Sequence, residues 1–259
     1  MDLTDSERRS WDQRGYVVRR GALESDLVEA LDRWVGQVDT WAHRPGGPGL
    51  HHFEATEHGP VLARSEDFDP HHAGLSTFMR TGTIPKLLAA LFGEAAVLFK
   101  EKINFKAPGG GGFAPHQDST AYRFAERHIS VMVPLDEATI ESGCLWFADT
   151  NVTSILPNTD GRIDPDWVAA HEWTPVEVSP GDLVAFDGLA PHRSETNHSD
   201  RSRRVMYLTY NRASDGDHRD RYYADKRAEL DAAGDAGRSG NVLISINDDF
   251  LGKPVAGPV

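Results

Sequence analysis

Apolar and polar positions recur with a helical period in the first part of the chain. Thr4 precedes an acidic turn and Gly15 follows Arg14, which predicts a short capped helix over residues 4–14. A strand candidate follows at residues 16–20, and residues 24–41 predict an amphipathic helix because apolar residues return every three or four positions. Residues 84–92 predict a further helix that ends before Gly93. The pattern from 43 to 83 is weak, and we expect loops there.

After Ala95 the pattern changes to that of β-strands. Apolar runs separated by Pro- and Gly-containing turns predict strands at 97–106, 128–136, 173–178, 182–186 and 204–211. Helices followed by consecutive strands favour a mainly β fold, an antiparallel sandwich or barrel with flanking helices. A last helix is predicted over 219–233. We therefore expect a single domain over 1–259, with a helical and loop buttress at 1–95, a β core at 96–212 and a helix and tail at 213–259.

Composition limits the partners that the protein can have. The 259 residues include 27 Lys and Arg against 40 Asp and Glu, a net charge of −13 that disfavours nucleic acids and anionic membranes. The chain lacks an apolar run long enough for a membrane helix, and its first residues lack the features of a secretory signal. We expect a cytoplasmic protein, a monomer or homodimer, that binds a small molecule. A lone cysteine, Cys144, excludes an intrachain disulfide and a cysteine-rich metal site.

Candidate metal ligands occur in the segment His116-Gln117-Asp118. Residues i and i+2 of an extended segment point the same way, so His116 and Asp118 can reach one metal while Gln117 faces away. His192, 76 positions after His116, can complete the set from another strand. Two imidazoles and one carboxylate are the ligand set of non-heme Fe(II) oxygenases. The tripeptide alone is weak evidence, because it occurs by chance in many proteins and its histidine is then structural.

Arg203 strengthens this interpretation. It follows His192 by eleven positions and begins a predicted strand. A guanidinium beside an iron site offers two parallel donors to the far carboxylate of a keto-acid cosubstrate.

With these residues in place, the sequence resembles the phytanoyl-CoA dioxygenase-like (PhyH) family of Fe(II)/2-oxoglutarate oxygenases, and within it the aminoalkylphosphonate hydroxylases. The matching segments are Ile103-Asn104-Phe105-Lys106, His116-x-Asp118, Ser142-Gly143-Cys144-Leu145, and Pro180-Gly181-Asp182 leading to His192-x-Ser194 and Arg203. The resemblance implies a double-stranded β-helix, a jelly roll of the cupin type. It also implies Fe(II) as cofactor and 2-oxoglutarate and O2 as cosubstrates.

The resemblance implies roles for individual residues. His116, Asp118 and His192 correspond to the iron ligands, and Arg203 to the residue that binds the C5 carboxylate of 2-oxoglutarate. Four more residues are assigned to the cosubstrate site, and these are Ser194, Lys106, Asn104 and Met132. Lys100 stands where ectoine hydroxylase has a substrate-contacting glutamine, so that substrate does not carry over. Asp118 is the carboxylate that halogenating relatives lack, which favours hydroxylation.

Strand faces suggest the chemical class of the substrate. A period of two places Lys100, Lys102, Asn104 and Lys106 on one face and Ile103 with Phe105 on the other. Lysines directed into an iron pocket favour an anionic substrate group such as a carboxylate, phosphonate or phosphate. The alternative is a solvated strand end where Lys100 and Lys102 pair with acids. Further candidates for substrate contact are Tyr122, Arg123, His128 and Tyr207, although each of these residue types is more often structural.

The hypothesis is a dioxygenase that hydroxylates an unactivated C–H of a small anionic or zwitterionic substrate, such as an aminoalkylphosphonate or amino acid, and releases succinate and CO2. One alternative is a cupin-like hydrolase or isomerase that holds Zn or Mn in the same residues and needs neither O2 nor 2-oxoglutarate. Another is a barrel that binds a small ligand without catalysis. The run from Gly109 to Gly112 lacks the Gly-Lys-Ser/Thr ending of a phosphate loop and is interpreted as a flexible approach to the metal motif.

Overall fold

The computed structural model describes residues 3–57, 59–122, 124–238 and 249–255, with residues 231–238 described by their backbone alone. The helices are α1 (Asp5–Arg14), α2 (Ser25–Ala42), α3 (Ala73–Arg80), α4 (Thr83–Phe92), α5 (Pro165–Ala169) and α6 (Arg219–Arg238). Among these ranges, no helix has both the length and the apolar character that crossing a bilayer requires.

The strands form two antiparallel sheets. In chain order they are β1 (Tyr16–Arg19), β2 (Leu50–Thr56), β3 (Gly59–Glu66), β4 (Ala96–Lys106), β5 (Phe113–His116), β6 (His128–Pro134), β7 (Leu145–Ala148), β8 (Asn158–Thr159), β9 (Arg162–Ile163), β10 (Trp173–Val176), β11 (Leu183–Asp187), β12 (His192–Ser194), β13 (Arg203–Arg212) and β14 (Pro254–Val255). The large sheet has the order β1-β11-β6-β13-β4-β3-β2-β14, and the small sheet the order β10-β7-β12-β5-β9-β8.

The N-terminal helices form where the sequence predicts them. Thr4 accepts a hydrogen bond from the Glu7 backbone N–H while the Glu7 carboxylate accepts one from the Thr4 N–H, and Gly15 ends α1 in a left-handed conformation. Helix α2 buries one stripe, which includes Leu31, Val35 and Val38. This stripe gives the helix a single face to pack on the large sheet.

Two apolar layers hold the molecule together. The first lies between the helices and the outer face of the large sheet, where Leu31 and Leu88 pack with Ile103 and Val131. The second lies between the two sheets and includes Phe147 from β7, Phe186 and Tyr207. Two facing antiparallel sheets with helices over one of them are the double-stranded β-helix architecture, so the predicted fold is confirmed.

The predicted alternation of β4 is also confirmed. Ile103 and Phe105 are buried in the layer beneath the helices. Lys100, Lys102 and Asn104 line a cavity between the sheets. Because successive side chains of a strand point to opposite faces, one strand serves both the core and the cavity.

The expectation of loops between residues 43 and 83 was wrong. Strands β2 and β3 pair with each other and β3 pairs with β4, so this region extends the large sheet, and α3 follows. The physical reason is that several inward positions of these strands are polar yet buried, among them His52, Arg64 and Glu66. A strand whose buried face is polar lacks the apolar alternation that identifies strands in a sequence.

Candidate metal centre

His116 and His192 lie directly opposite each other on neighbouring strands. Strand β5 pairs with β12, and in this pairing His116 is opposite His192. The centroids of the two imidazole rings are 4.2 Å apart. Asp118 begins a short 3-10 turn immediately after β5. Between them, Gln117 is fully buried and faces away: its side-chain amide donates to Ser154 O and Leu189 O. The predicted i, i+2 geometry therefore brings the three candidate ligands together.

The same local contact orients both imidazoles. His116 Nδ1 lies 2.7 Å from the carbonyl oxygen of Ala114, and His192 Nδ1 lies 3.0 Å from that of Ala190. Each Nδ1 must carry its proton to donate to a carbonyl, so each Nε2 presents a lone pair. Both rings are thereby held in the tautomer that a metal requires.

The three ligand atoms converge on one point. They all lie within 4.8 Å of one another, and His116 Nε2 is 3.7 Å from Asp118 Oδ1. All three residues are buried. The second carboxylate oxygen of Asp118 accepts a hydrogen bond of 3.1 Å from Ser130 Oγ, which in turn is 2.9 Å from Thr209 Oγ1. This contact leaves one carboxylate oxygen free for a metal.

Protonation states in the site suit metal binding. Burial, followed by the nearby His116, lowers the pKa of His192 to about 4, so this imidazole is neutral at physiological pH. Burial disfavours ionisation of Asp118, yet the charge of Lys102 holds the pKa of this carboxyl below its ordinary range. A neutral imidazole and an ionised carboxylate are the forms that coordinate a divalent cation.

Arg203 is a buried guanidinium with an unused donor. Its side chain is 2% exposed, and its Nε donates to Ser142 O at 3.1 Å. Nη1 is buried without a hydrogen-bond partner among the described residues, and Arg203 is one of the residues that line the cavity of the three ligands. Leaving a buried charged donor unpaired is costly, so an anionic group in the cavity is the natural partner. This donor fits the far carboxylate of 2-oxoglutarate.

The other residues assigned to the cosubstrate lie at different depths. Ser194 and Asn104 line the cavity. Lys106 lies behind Ser194, and its Nζ donates to Ser194 Oγ, Gly143 O and Glu195 O. An ammonium has three N–H donors, and these three acceptors engage all of them. A direct contact between Lys106 and 2-oxoglutarate therefore stays a prediction. Met132 is packed in the layer between the sheets and is not among the cavity-lining residues.

Lys100 and Lys102 are directed into the cavity without an acidic partner. Lys100 Nζ lies 4.5 Å from the Tyr122 ring centroid, and Lys102 Nζ lies 5.2 Å from that of Tyr207. Neither ammonium forms a salt bridge or hydrogen bond to a described residue. Burial, followed by the charge of Lys102, lowers the pKa of Lys100 well below its ordinary value. The alternative of a solvated strand end paired with acids is therefore wrong.

The remaining candidates for substrate contact divide into three groups. Tyr122 and Tyr207 line the cavity. His128 is 1% exposed and packs behind Tyr122, with ring centroids 4.8 Å apart. Arg123 lies outside the described residues.

Several cavity-lining residues escaped the sequence analysis, among them Arg64, Tyr222, Lys226 and Asp249. Arg64 comes from β3, which lay in the expected loop region, and it donates to Asn104 Oδ1 at 3.0 Å. Tyr222 and Lys226 share one face of α6, and their spacing of four was a usable signal. Asp249 belongs to the C-terminal segment, and nothing in its sequence context indicates the site.

Comparison with known proteins gives consistent matches. The family model described as phytanoyl-CoA dioxygenase (PhyH) matches residues 11–205. The chain is 40% identical to a methylphosphonate hydroxylase of Gimesia maris over 257 residues, 97% of either chain. It is also 40% identical to a 2-aminoethylphosphonate dioxygenase of uncultured bacterium HF130_AEPn_1 over 234 residues, 88% of this chain and 89% of that one.

Solved structures share the fold. A crystal structure of EctD from S. alaskensis with 2-oxoglutarate and 5-hydroxyectoine aligns with a TM-score of 0.70 at 19% identity, covering 82% of this chain and 77% of that one. AviO1 from Streptomyces viridochromogenes Tue57 aligns with a TM-score of 0.67 at 19% identity, covering 81% and 95%. At this level of identity the likeness concerns the fold.

Proposed function

Because the chain belongs to the phytanoyl-CoA dioxygenase (PhyH) family and is an iron- and 2-oxoglutarate-dependent dioxygenase, we propose that it hydroxylates a C–H bond of a small organophosphonate. The balanced reaction converts C–H, O2 and 2-oxoglutarate into C–OH, succinate and CO2. The proposal of a phosphonate rests mainly on Lys100 and Lys102. Both lysines line the cavity that contains the metal ligands, and neither has an acidic partner there.

The assigned residues fit the cofactor. His116, Asp118 and His192 would hold the iron, which supplies O2 activation when bound. The carbonyls of Ala114 and Ala190 keep both rings in place. Arg203 would bind the far carboxylate of 2-oxoglutarate through its free Nη1.

The cations opposite the metal ligands fit a phosphonate. Arg64 and Lys226 share Glu66 as their acidic partner, with Lys226 Nζ 2.5 Å and Arg64 Nη1 3.4 Å from its oxygens. Lys100 and Lys102 add two amino groups that this acid does not pair, and a bound anion would favour their charged forms against the burial that lowers the pKa of both. A dianionic phosphonate offers three acceptor oxygens to such a cluster, and both curated relatives named above are described by phosphonate substrates. The excess of positive charge therefore supports a phosphonate over a neutral substrate.

Two further expectations accompany the proposal. The activity would be that of a monomer or homodimer in the cytoplasm. A hydrolase or isomerase built on the same ligands, or a barrel that only binds its ligand, would form no succinate when a phosphonate is supplied.

The test is phosphonate-dependent turnover. Iron-loaded protein is incubated with 2-oxoglutarate and either methylphosphonate or 2-aminoethylphosphonate, while succinate and the 31P spectrum of the phosphonate are followed. We expect succinate and a hydroxylated phosphonate in equal amounts. Lys102→Met should lower kcat/KM for the phosphonate roughly 10- to 100-fold, the loss of one charged hydrogen bond. Lys86→Met, on the exposed side of α4, is the matched control. No phosphonate-dependent succinate in the wild type would refute the proposal.

A further inference from the structure

We propose that Asp249 recognises a cationic group of the substrate, an ammonium carried on the carbon chain of the phosphonate. The inference rests on the proposed function and names the second charge of the substrate. It makes Asp249 a specificity residue that favours an aminoalkylphosphonate over a simple alkylphosphonate.

Asp249 is a buried cavity-lining residue with one carboxylate oxygen that has no hydrogen-bond partner among the described residues. Its side chain lines the same cavity as Lys100 and the metal ligands, and the residue is 3% exposed. Oδ1 is buried, and no donor from the described parts of the chain reaches it. Burying a carboxylate oxygen without a hydrogen-bond donor costs free energy, because the oxygen loses its contacts with water. A positively charged ligand that donates to this oxygen would offset that cost.

The segment that carries Asp249 is fixed by its backbone. The Ala114 N–H donates to Asp249 O at 2.7 Å, and the Leu251 N–H donates to Gly112 O at 2.9 Å. Phe250 packs on Phe113 with ring centroids 5.2 Å apart. Further along, β14 pairs with β2. The carboxylate is therefore positioned beside β5, the strand that carries His116.

The glycine run before the metal motif makes this contact possible. A Cβ atom on Gly111 would lie 2.3 Å from the backbone N of Gly252, and one on Gly112 would lie 2.1 Å from Ser194 O. No side chain larger than hydrogen fits at such distances. The sequence analysis interpreted Gly109 to Gly112 as a flexible segment before the metal motif. In the structure, Gly111 instead makes a close backbone contact with Gly252 of the C-terminal segment.

Asp249 lies beside a metal ligand without belonging to the metal-ligand set. Oδ2 lies 3.6 Å from His116 Nε2, which presents a lone pair because Nδ1 faces Ala114 O. The convergent metal-ligand set is His116, Asp118 and His192, without Asp249. An ammonium on a substrate whose phosphonate meets Lys100 and Lys102 would instead donate to Asp249 Oδ1, the oxygen that no described residue reaches.

The test compares two ligands that differ in the ammonium. The protein is loaded with Mn(II) and 2-oxoglutarate, and the Kd of 2-aminoethylphosphonate and of methylphosphonate is measured by calorimetry. The wild type should prefer 2-aminoethylphosphonate. Asp249→Asn should weaken that ligand roughly 10- to 100-fold and methylphosphonate less than about threefold. Asp249→Glu should restore part of the preference, and the exposed Asp200→Asn should change neither Kd.

The outcomes separate this inference from the proposed function. Equal weakening of the two ligands, or an unchanged ratio of their Kd values in Asp249→Asn, overturns the role of Asp249 alone. A loss of Mn(II) affinity with the preference retained makes Asp249 a metal ligand and also overturns it. If the wild type binds neither phosphonate, the proposed function fails, and the inference fails with it.

Discussion

Replacing Arg203 by lysine tests the predicted cosubstrate contact while keeping its charge. The guanidinium donates through Nε to Ser142 O and leaves Nη1 without a hydrogen-bond partner among the described residues. A lysine can donate at only one of these two places, because its ammonium lacks the planar fork. One hydrogen bond to a charged group contributes about 1.5–3 kcal/mol. The Kd of 2-oxoglutarate should therefore rise roughly 10- to 100-fold.

The assay is calorimetric titration of 2-oxoglutarate into Mn(II)-loaded protein, with thermal melting to confirm that the variant is folded. Arg204→Lys is the matched control, since Arg204 is the next residue and binds Asp136 on the opposite face of β13. We expect the control to keep the Kd of the wild type. An unchanged Kd in Arg203→Lys, or the same loss in both variants, would show that Arg203 does not hold the cosubstrate.

Three further predictions concern residues that surround the metal ligands, Ser130, His128 and Phe147. Ser130→Ala removes the hydrogen bond to Asp118 Oδ2, so the Mn(II) affinity measured by titration should fall roughly 10- to 100-fold, and an unchanged affinity would contradict this positioning role. Burial lowers the pKa of His128 from 6.5 to about 4, so the folded protein should lose stability as pH falls through that interval. When the free energy of unfolding is measured with urea, His128→Phe should reduce its change between these pH values by up to about 3 kcal/mol. A variant that keeps the full pH dependence would refute this role of His128. Phe147→Ala should lower the free energy of unfolding by about 3–5 kcal/mol because the ring is fully buried between the sheets, whereas a loss below about 1 kcal/mol would contradict that packing.

The metal site could be predicted from sequence because its geometry is largely local. His116 and Asp118 share a face through the two-residue period of extended chain, and the spacing from His192 to Arg203 completed a motif specific to the family. The resemblance to the PhyH family is confirmed. The inward direction of Lys100 and Lys102 followed from the same period.

The rest of the cavity depends on contacts that a sequence pattern does not show. Arg64 lies on a strand whose buried face is polar, and Asp249 reaches the site through pairing between segments more than a hundred residues apart. Lys106 faces inward as predicted, but the carbonyls of Gly143 and Glu195 occupy its ammonium. Period and spacing thus predict which way a side chain points, whereas its partner depends on long-range packing.

His116, Asp118, His192 and Arg203 are expected to bind iron and 2-oxoglutarate together. The most direct test is an anaerobic titration of the protein with Fe(II) and 2-oxoglutarate, followed by visible absorption. We expect a metal-to-ligand charge-transfer band that is absent in His116→Ala and that shifts when 2-aminoethylphosphonate or methylphosphonate is added. A wild-type protein that gives no such band would contradict this expectation.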